Sequence, residues 1–440
     1  MAKGAIAVDF GASSARFAAG TLEDGVIRYE IVRQEAHHAR DHQGHQVWDI
    51  DRLIAFTKSA AEYGTAHFTS ATVGIDSWGV DHGFIDHSGD LISPPVCYRD
   101  ASHTRMFEAL AGHRADLFQQ TGIQHQPFNT IYQLAARRAE NPNLPEEAAR
   151  WLILPDLIGY LLTRQAQYEI TQASTTQLMA TDATWCPAAF ELCGWPIPDL
   201  GPTLPGFQGG YVAPNVRLAV VGSHDTASAV FGLEPLAEDT VFLNVGTWSL
   251  LGCVLDSPNV SLEAALGNFT NERCVDGRVR FLKNVAGFWV INRLHQELPG
   301  VPERVADWLA GADLNETRRL DLDAADLFAP ESMLAAAREQ IEGPEPTTAE
   351  WAGIALHSLV DALAGLPVEL GRITGRRFTK IRVGGGGSRS EAFRELLAQQ
   401  SGLAVEVGTV EASVLGNLAL QFVAQGALTL EEARAVVARS

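Results

Sequence analysis

The segment Gly222-Ser223-His224-Asp225-Thr226-Ala227-Ser228-Ala229 puts a histidine and a carboxylate side by side among hydroxyls and small residues. They stand where the pattern changes from strand to helix. A helix N-terminus favours an ionised carboxylate, so Asp225 could accept a hydroxyl proton as a general base. A capping Asp with a purely structural role reads equally well there. A second stretch, Asp9-Phe10-Gly11-Ala12-Ser13-Ser14-Ala15-Arg16, ends a buried strand on a carboxylate. Its small residues let backbone N–H groups approach a phosphate, Ser13 and Ser14 add donors, and Arg16 adds charge. Asp9 could hold a magnesium ion through water. The alternative is an ordinary hairpin turn.

Two later stretches repeat this logic. Asn244-Val245-Gly246-Thr247-Trp248-Ser249 is again a strand, a small turn and a strand, with Thr247 and its neighbouring amides facing outward. Gly384 to Gly387 lie between an expected strand and helix, where bare backbone can lie against a base or phosphate. No Lys-Ser/Thr pair follows, so this is not a Walker loop. Trp78 and Asp81, on a Gly-containing connection, could stack on and hydrogen-bond a polyol; the plain alternative is a core Trp beside a turn Asp. His37, His38, His42 and His45 could bind a metal, but no Cys or tight carboxylate cluster accompanies them, and a solvated loop is the simpler reading.

The elements that would position these groups follow from alternation and turn residues. Residues 5–8, 16–20 and 26–33 read as a β-meander with no helix after the first strand, which counts against a Rossmann start. Residues 49–63 read as an amphipathic helix, and 72–76 and 83–86 as strands. Helical periodicity dominates from 102 to about 162, and 182–216 reads as a long irregular connection. A second meander opens near Thr240, with strands at 241–245 and 249–255. The late part reads as a strand at 380–383, the glycine loop, and a helix at 390–400. Similar hairpins near the start of each half suggest two related domains, 1–233 and 234–440.

Composition narrows the partners. Of 440 residues, 33 are basic and 53 acidic, a net charge of −20. Nucleic acid and anionic membranes need clustered Lys and Arg, so neither is expected as a partner. A small anion held by backbone amides and a metal ion remains compatible. The apolar share of 46% and charged share of 20% describe a globular chain. Five scattered cysteines without a CxxC pair fit a reducing compartment. The apolar N-terminal stretch is broken by Asp9, unlike a signal peptide, and no 18-residue apolar stretch suggests a membrane span. The expectation is a cytoplasmic protein, monomeric or homodimeric.

Taken together, the segments resemble the FGGY carbohydrate kinases. They are VDFGASSAR (8–16), GIDSWGVDHGFIDHSGDLISPPVCYRD (74–100), TGIQHQPFNTIYQL (121–134), PDLIGYLLT (155–163), EITQASTTQL (169–178), GSHDTASAV (222–230), GTWSLLG (246–252), FTNERCVDGRVRFLKNVAGFWV (269–290), VGGGGS (383–388) and VEASVLGNLALQ (410–421). The resemblance runs in order over nearly the whole chain. It implies an α/β fold of two actin-like, ribonuclease-H-type domains around a central cleft. It implies transfer of the ATP γ-phosphate, with Mg²⁺, to the 1-hydroxyl of a ketose. L-Rhamnulose leads, with L-fuculose and L-xylulose as alternatives.

By the same resemblance Asp225 corresponds to the catalytic base. Gly79, His224, Asp225, Thr226 and Asn284 correspond to sugar contacts; Trp78 and Asp81 are added to them on their side-chain chemistry. Ala12, Ser13, Ser14, Ala15, Arg16, Thr247, Asn292, Gly385 and Gly386 correspond to ATP contacts. Departures from the family pattern are Asn292 for a usual Gln, Ala15 for a common Gly, and Asn244-Val245 for a Ser-Ser pair. Two rivals share parts of the pattern: an actin- or chaperone-like ATPase, and a metal-dependent hydrolase using Asp9, Asp76, Asp81 and the histidines.

Overall fold

The computed structural model describes residues 3–328 and 330–440. Two compact units emerge. Met1–Pro235, Leu255–Phe281 and Ser413–Ser440 form the first, and Leu236–Val254 and Leu282–Ala412 form the second.

The first unit is built on a six-stranded sheet. Its central strand Lys3–Phe10 runs antiparallel to Ser14–Glu23, which pairs in turn with Val26–Ala36. On its other side lie Ser70–Ser77 and then Val216–Ala219, both parallel, and finally Gln208–Ala213, antiparallel. The alternation of residues 5–10 decides which face each helix covers. Ile6, Val8 and Phe10 pack in one core with Leu53, Phe56, Ala60 and Ala61 of the helix Ile50–His67, which Asp49 caps by accepting from the Arg52 N–H. Ala5 and Ala7 join a separate core with Val414, Leu418 and Phe422 of the helix Ala412–Ala424. Small residues there let that helix come close: a Cβ on Gly74 would lie 2.5 Å from the Asn417 Oδ1.

The second sheet also has six strands. Thr240–Val245 runs antiparallel to Ser249–Leu255 on one side, and parallel to Lys380–Gly384 and then Ala404–Val407 on the other. Beyond Ser249–Leu255 come Val279–Val285 and Thr270–Arg273. The helix Thr348–Ala364 opens on a capping box between Thr347 and Glu350. The stretch Thr348–Thr374 is long and apolar enough to cross a membrane by length and composition, with a mean hydropathy of 1.4, yet 78% of that window is buried inside the fold.

Several local expectations need correction. Ala148–Ile153 is a strand, antiparallel to His82–Asp86, inside a region read as helical. The histidine tract contains a hairpin, Arg40–His42 with His45–Val47. The 182–216 connection holds a helix, Pro187–Cys193, and the edge strand Gln208–Ala213. The two compact units are each made of more than one stretch of chain. Residues 255–281 and 413–440 pack with the first, where Asn417 and Gln421 bond residues on its central strands.

Candidate functional site

In open α/β sheets, ligand sites form beyond the carboxyl ends of the parallel strands. In the first unit those ends carry acids. Asp9 and Asp76 are register partners on adjacent parallel strands. Ser77 continues the pairing to His224, and its N–H donates to the Ser223 carbonyl at 2.9 Å. Asp225 then opens the helix Asp225–Gly232, with His224 as its N-cap residue. The chain thus delivers Asp9, Asp76 and Asp225 to one edge.

Each acid has a different environment. Asp9 Oδ2 accepts from Arg16 (2.8 Å) and from the Ser413 hydroxyl (2.5 Å). Two residues expected at one phosphate turn are therefore paired with each other. Asp76 is fully buried and accepts from Asn417 at 2.6 Å, while its Oδ1 has no hydrogen-bond partner. Burial, reinforced by the charge on Asp9, holds the Asp76 carboxyl well above the usual carboxylate range. Burial also raises Asp225, with the charge on Asp9 acting in the same direction and His224 opposing. Thr226 donates to Asp225 Oδ1 at 3.1 Å, and His224 Nε2 lies 3.5 Å from the same oxygen.

The orientation of His224 is set from behind. The guanidinium of Arg280, which is completely buried, lies 3.2 Å from His224 Nδ1 and 3.2 Å from Glu272 Oε2. Nδ1 also lies 3.4 Å from Glu272 Oε2, so Arg280 and Glu272 together hold the ring with Nε2 toward Asp225. Glu169 clamps the same loop. Its carboxylate accepts from the Ser223 N–H (3.1 Å), the Ser223 hydroxyl (2.7 Å) and the Thr171 hydroxyl (2.5 Å). Gln172 donates to the carbonyls of Trp78 (3.1 Å) and Ser223 (3.0 Å), tying two expected sugar-contact segments together.

Gly79 follows Trp78 in the first of those segments, facing Thr175. A Cβ there would meet the Thr175 hydroxyl at 3.1 Å. The next residue, Val80, has φ +71°, a strained conformation for a β-branched residue and one that surrounding contacts must enforce. Its N–H donates to the Thr175 hydroxyl, and its carbonyl accepts from Thr130 and Gln133. Trp78 and Asp81 have other partners than the polyol expected of them. Both are buried, and Asp81 accepts from the Trp48 (2.6 Å) and Trp78 (2.8 Å) indoles and from Gln133 (3.2 Å). Their role is to brace the strained turn. His37, from the histidine tract, supports the first hairpin instead of a metal: its Nε2 donates to the Gly11 carbonyl at 2.8 Å, and its ring stacks on Trp78. Ala12, Ser13 and Ser14 lie at least partly open along that hairpin, whereas Ala15 is buried against the core.

The corresponding edge of the second unit is uncharged. Asn244 stands in register with Gly384, and Gly385 packs on the hairpin: its Cβ would lie 2.6 Å from the Val245 carbonyl, and its φ is +82°. A Cβ on Gly387 would overlap Val245 and Phe288, while one on Gly386 would meet nothing within 4 Å. Gly386 is thus the position of the loop open to a ligand. Thr247 is partly exposed in the hairpin turn, and its carbonyl accepts from the Trp289 N–H at 2.9 Å. Asn284 and Asn292 are partly exposed on Val279–Val285 and Phe288–Glu297.

Among the described residues, no group of three or more His, Cys, Asp or Glu side chains could hold a metal ion by itself. Mg²⁺ commonly keeps several waters and uses one or two carboxylates plus phosphates. The mutually repelling Asp9, Asp76 and Asp225 and the unpartnered Asp76 Oδ1 fit such a hydrated ion.

Comparison with known proteins joins these parts. Residues 5–210 match the N-terminal domain, and residues 241–425 the C-terminal domain, of the FGGY family of carbohydrate kinases. A rhamnulokinase of Bacillus subtilis (strain 168) is 32% identical, covering 99% of this chain and 93% of the relative. One from Enterococcus faecalis (strain ATCC 700802 / V583) is 34% identical, covering 96% and 90%. The fold matches a ligand-bound xylulose kinase from Lactobacillus acidophilus (TM-score 0.81, 16% identity, covering 99% of this chain and 92% of that one). It also matches a glycerol kinase from Plasmodium falciparum with ADP (TM-score 0.77, 15% identity, covering 100% and 93%). The chain is a member of the FGGY family of carbohydrate kinases, an ATP-dependent sugar kinase built on two actin-like domains of ribonuclease-H type.

Proposed function

We propose that this kinase transfers the γ-phosphate of ATP to the 1-hydroxyl of L-rhamnulose. The observation that carries the choice of sugar is the near-full-length similarity to rhamnulokinases at 32–34% identity. Asp225 removes the proton from the attacking hydroxyl. Its raised pKa suits a base that must hold that proton as the O–P bond forms. His224, with Nε2 3.5 Å from Asp225, orients Asp225 and the sugar. Gly79, Thr226 and Asn284 complete the sugar contacts. On the nucleotide side, residues 12–16 and Thr247 receive the phosphates, and Gly385, Gly386 and Asn292 receive the remainder of ATP. Asp9, beside Asp76, would hold Mg²⁺ through water, and the ion would supply positive charge to offset that on the phosphate oxygens. Positioning and electrostatics then supply most of the rate.

The enzyme acts in the cytoplasm on this reading, since its five cysteines are free thiols, all buried. Its net charge of −20 suits small-molecule partners and neither nucleic acid nor an anionic membrane. It works as a monomer or homodimer. A coupled ATP assay over L-rhamnulose, L-fuculose, L-xylulose and other ketoses tests the proposal. L-Rhamnulose should give the highest kcat/KM. A higher value for another ketose would overturn the choice of sugar, and ATP turnover indifferent to any sugar would overturn the transfer itself.

A further inference from the structure

The histidine tract borders a cavity that the kinase reaction does not use. The hairpin Arg40–His42/His45–Val47, residues 92–96 and the helix Thr130–Glu140 border a volume of about 330 Å³ within the first unit. That is near the lower end of the ~300–1,000 Å³ typical of small-molecule pockets. Neither Asp9, His224 nor Asp225 lines it.

Four lining side chains stand out. His82, His103, Gln133 and Arg137 are only 4%, 1%, 1% and 9% exposed. Yet His82 Nδ1, His103 Nε2, Gln133 Oε1 and Arg137 Nε have no hydrogen-bond partner. Buried polar atoms are normally paired, so several unpaired ones in one wall call for an explanation.

Their polarity specifies what would pair them. His103 Nδ1 lies 3.4 Å from the Tyr98 carbonyl and donates to it, which leaves a lone pair on Nε2. Burial keeps that ring neutral by pushing its pKa down to about 4. The Gln133 amide nitrogen donates to the Phe128 carbonyl (2.8 Å) and to Asp81 Oδ1 (3.2 Å), so its Oε1 is an acceptor. Arg137 is a permanent donor, with its terminal nitrogens bonded to Ser102 and Glu140. The neutral His82 ring gives its proton to the Val80 carbonyl, so its unpartnered Nδ1 is an acceptor too. Three acceptors beside one donor match hydroxyl groups, which both give and take. An anion would face three lone pairs and the Glu140 carboxylate; an ammonium group would face the Arg137 guanidinium. Phe84 and Pro95 supply apolar wall for a C–H face.

We propose that this cavity is a second binding site, for a small neutral polyhydroxylated molecule of monosaccharide size. Gln133 links it to the Val80-Asp81 turn, because the same amide bonds both residues. An occupant would therefore press on the segment that carries Gly79.

Calorimetric titration of the full chain without nucleotide tests this, using xylitol and L-rhamnulose as probes and gluconate and inorganic phosphate as anionic controls. Ser93 is exposed, lines the cavity and takes no part in the proposed reaction. Ser93→Trp should abolish one binding event seen in the wild type while leaving turnover intact. His103→Leu should weaken that event about 10-fold, the worth of one hydrogen bond. A crystal structure with xylitol should show it bonded to His103, Gln133 and Arg137. The inference is overturned if Ser93→Trp loses no binding event, if only ordered water fills the cavity, or if the anions compete. Because nucleotide is absent, failure of the proposed phosphoryl transfer would leave the Ser93-sensitive event untouched.

Discussion

The two sheets share a plan and differ in charge. Each has a central strand joined by a short turn to an antiparallel neighbour, with parallel strands on its other side. In the first, the central strand ends at Asp9, opposite Asp76. In the second, the equivalent strand offers Asn244, opposite Gly384. One edge is an acid cluster partly neutralised by Arg16, the other is amide and glycine. One backbone frame can thus serve a proton acceptor with a hydrated cation, or an uncharged cradle. The side chain at the strand end decides which.

The largest effect should come from the acid edge. Asp225→Asn is expected to lower kcat by ~10²–10⁴, the usual worth of a general base, while calorimetry still detects sugar binding. Near-normal turnover would remove Asp225 from the role. Asp9→Asn removes the ion pair with Arg16 and should raise the Mg²⁺ concentration needed for half-maximal activity by roughly tenfold, about 1.4 kcal/mol of lost interaction. An unchanged Mg²⁺ titration would assign Asp9 to structure alone.

The glycine edge separates into two kinds of position. Gly385→Ala forces a side chain into a left-handed backbone and against the Val245 carbonyl. It should cost about 1–3 kcal/mol and lower Tm. Gly386→Ala should leave Tm in place and raise KM for ATP, since a Cβ there meets only open space. The reverse pattern would exchange their roles. Asn244→Asp places a carboxylate where the first sheet has one, and should raise KM for ATP several-fold, about 1 kcal/mol of repulsion. No change would mean that nucleotide phosphates do not approach this edge.

A smaller effect lies in the pH dependence of stability. Burial pushes the Asp81 and Asp156 carboxyls up to about 7. Between the ordinary carboxylate range and that value the folded chain binds more protons than the unfolded one. Stability contributed by these groups is then greatest at low pH and declines toward pH 7. Asp81→Asn should flatten the decline in Tm between pH 5 and 7; an unaltered slope would place its source elsewhere.

Much of this was legible in the sequence. Both hairpins announce themselves by alternation and small turn residues, and chemistry alone singles out Asp9 and Asp225. What brings those acids together is less visible. Glu169 bonds Ser223 across 54 residues and Gln172 reaches Trp78 across 94, and no local pattern encodes such pairings. Ala148–Ile153 merges into the apolar run of the following helix, where periodicity cannot separate a short strand from a buried helix. Trp78 and Asp81 looked available to a sugar because sequence does not show Trp48 filling the space beside them, 4.3 Å ring to ring.

The helix Ala412–Ala424 carries a consequence for how the protein comes into being. Gln421 bonds the backbone of Ile6 across 415 residues, and Asn417 caps Asp76 across 341. A ribosome delivers the central strand of the first sheet long before the helix that covers its alanine face, since 415 residues separate Gln421 from Ile6. Until it is made, that face, with Ala5, Ala7 and Gly74, lacks the helix Ala412–Ala424, and the acid edge lacks Asn417 and Ser413. Such long-range closure slows folding, and an uncovered apolar surface is where growing chains associate wrongly. The first unit is begun before the second and closed after it, so its acids acquire their final environment only once the helix Ala412–Ala424 has been made.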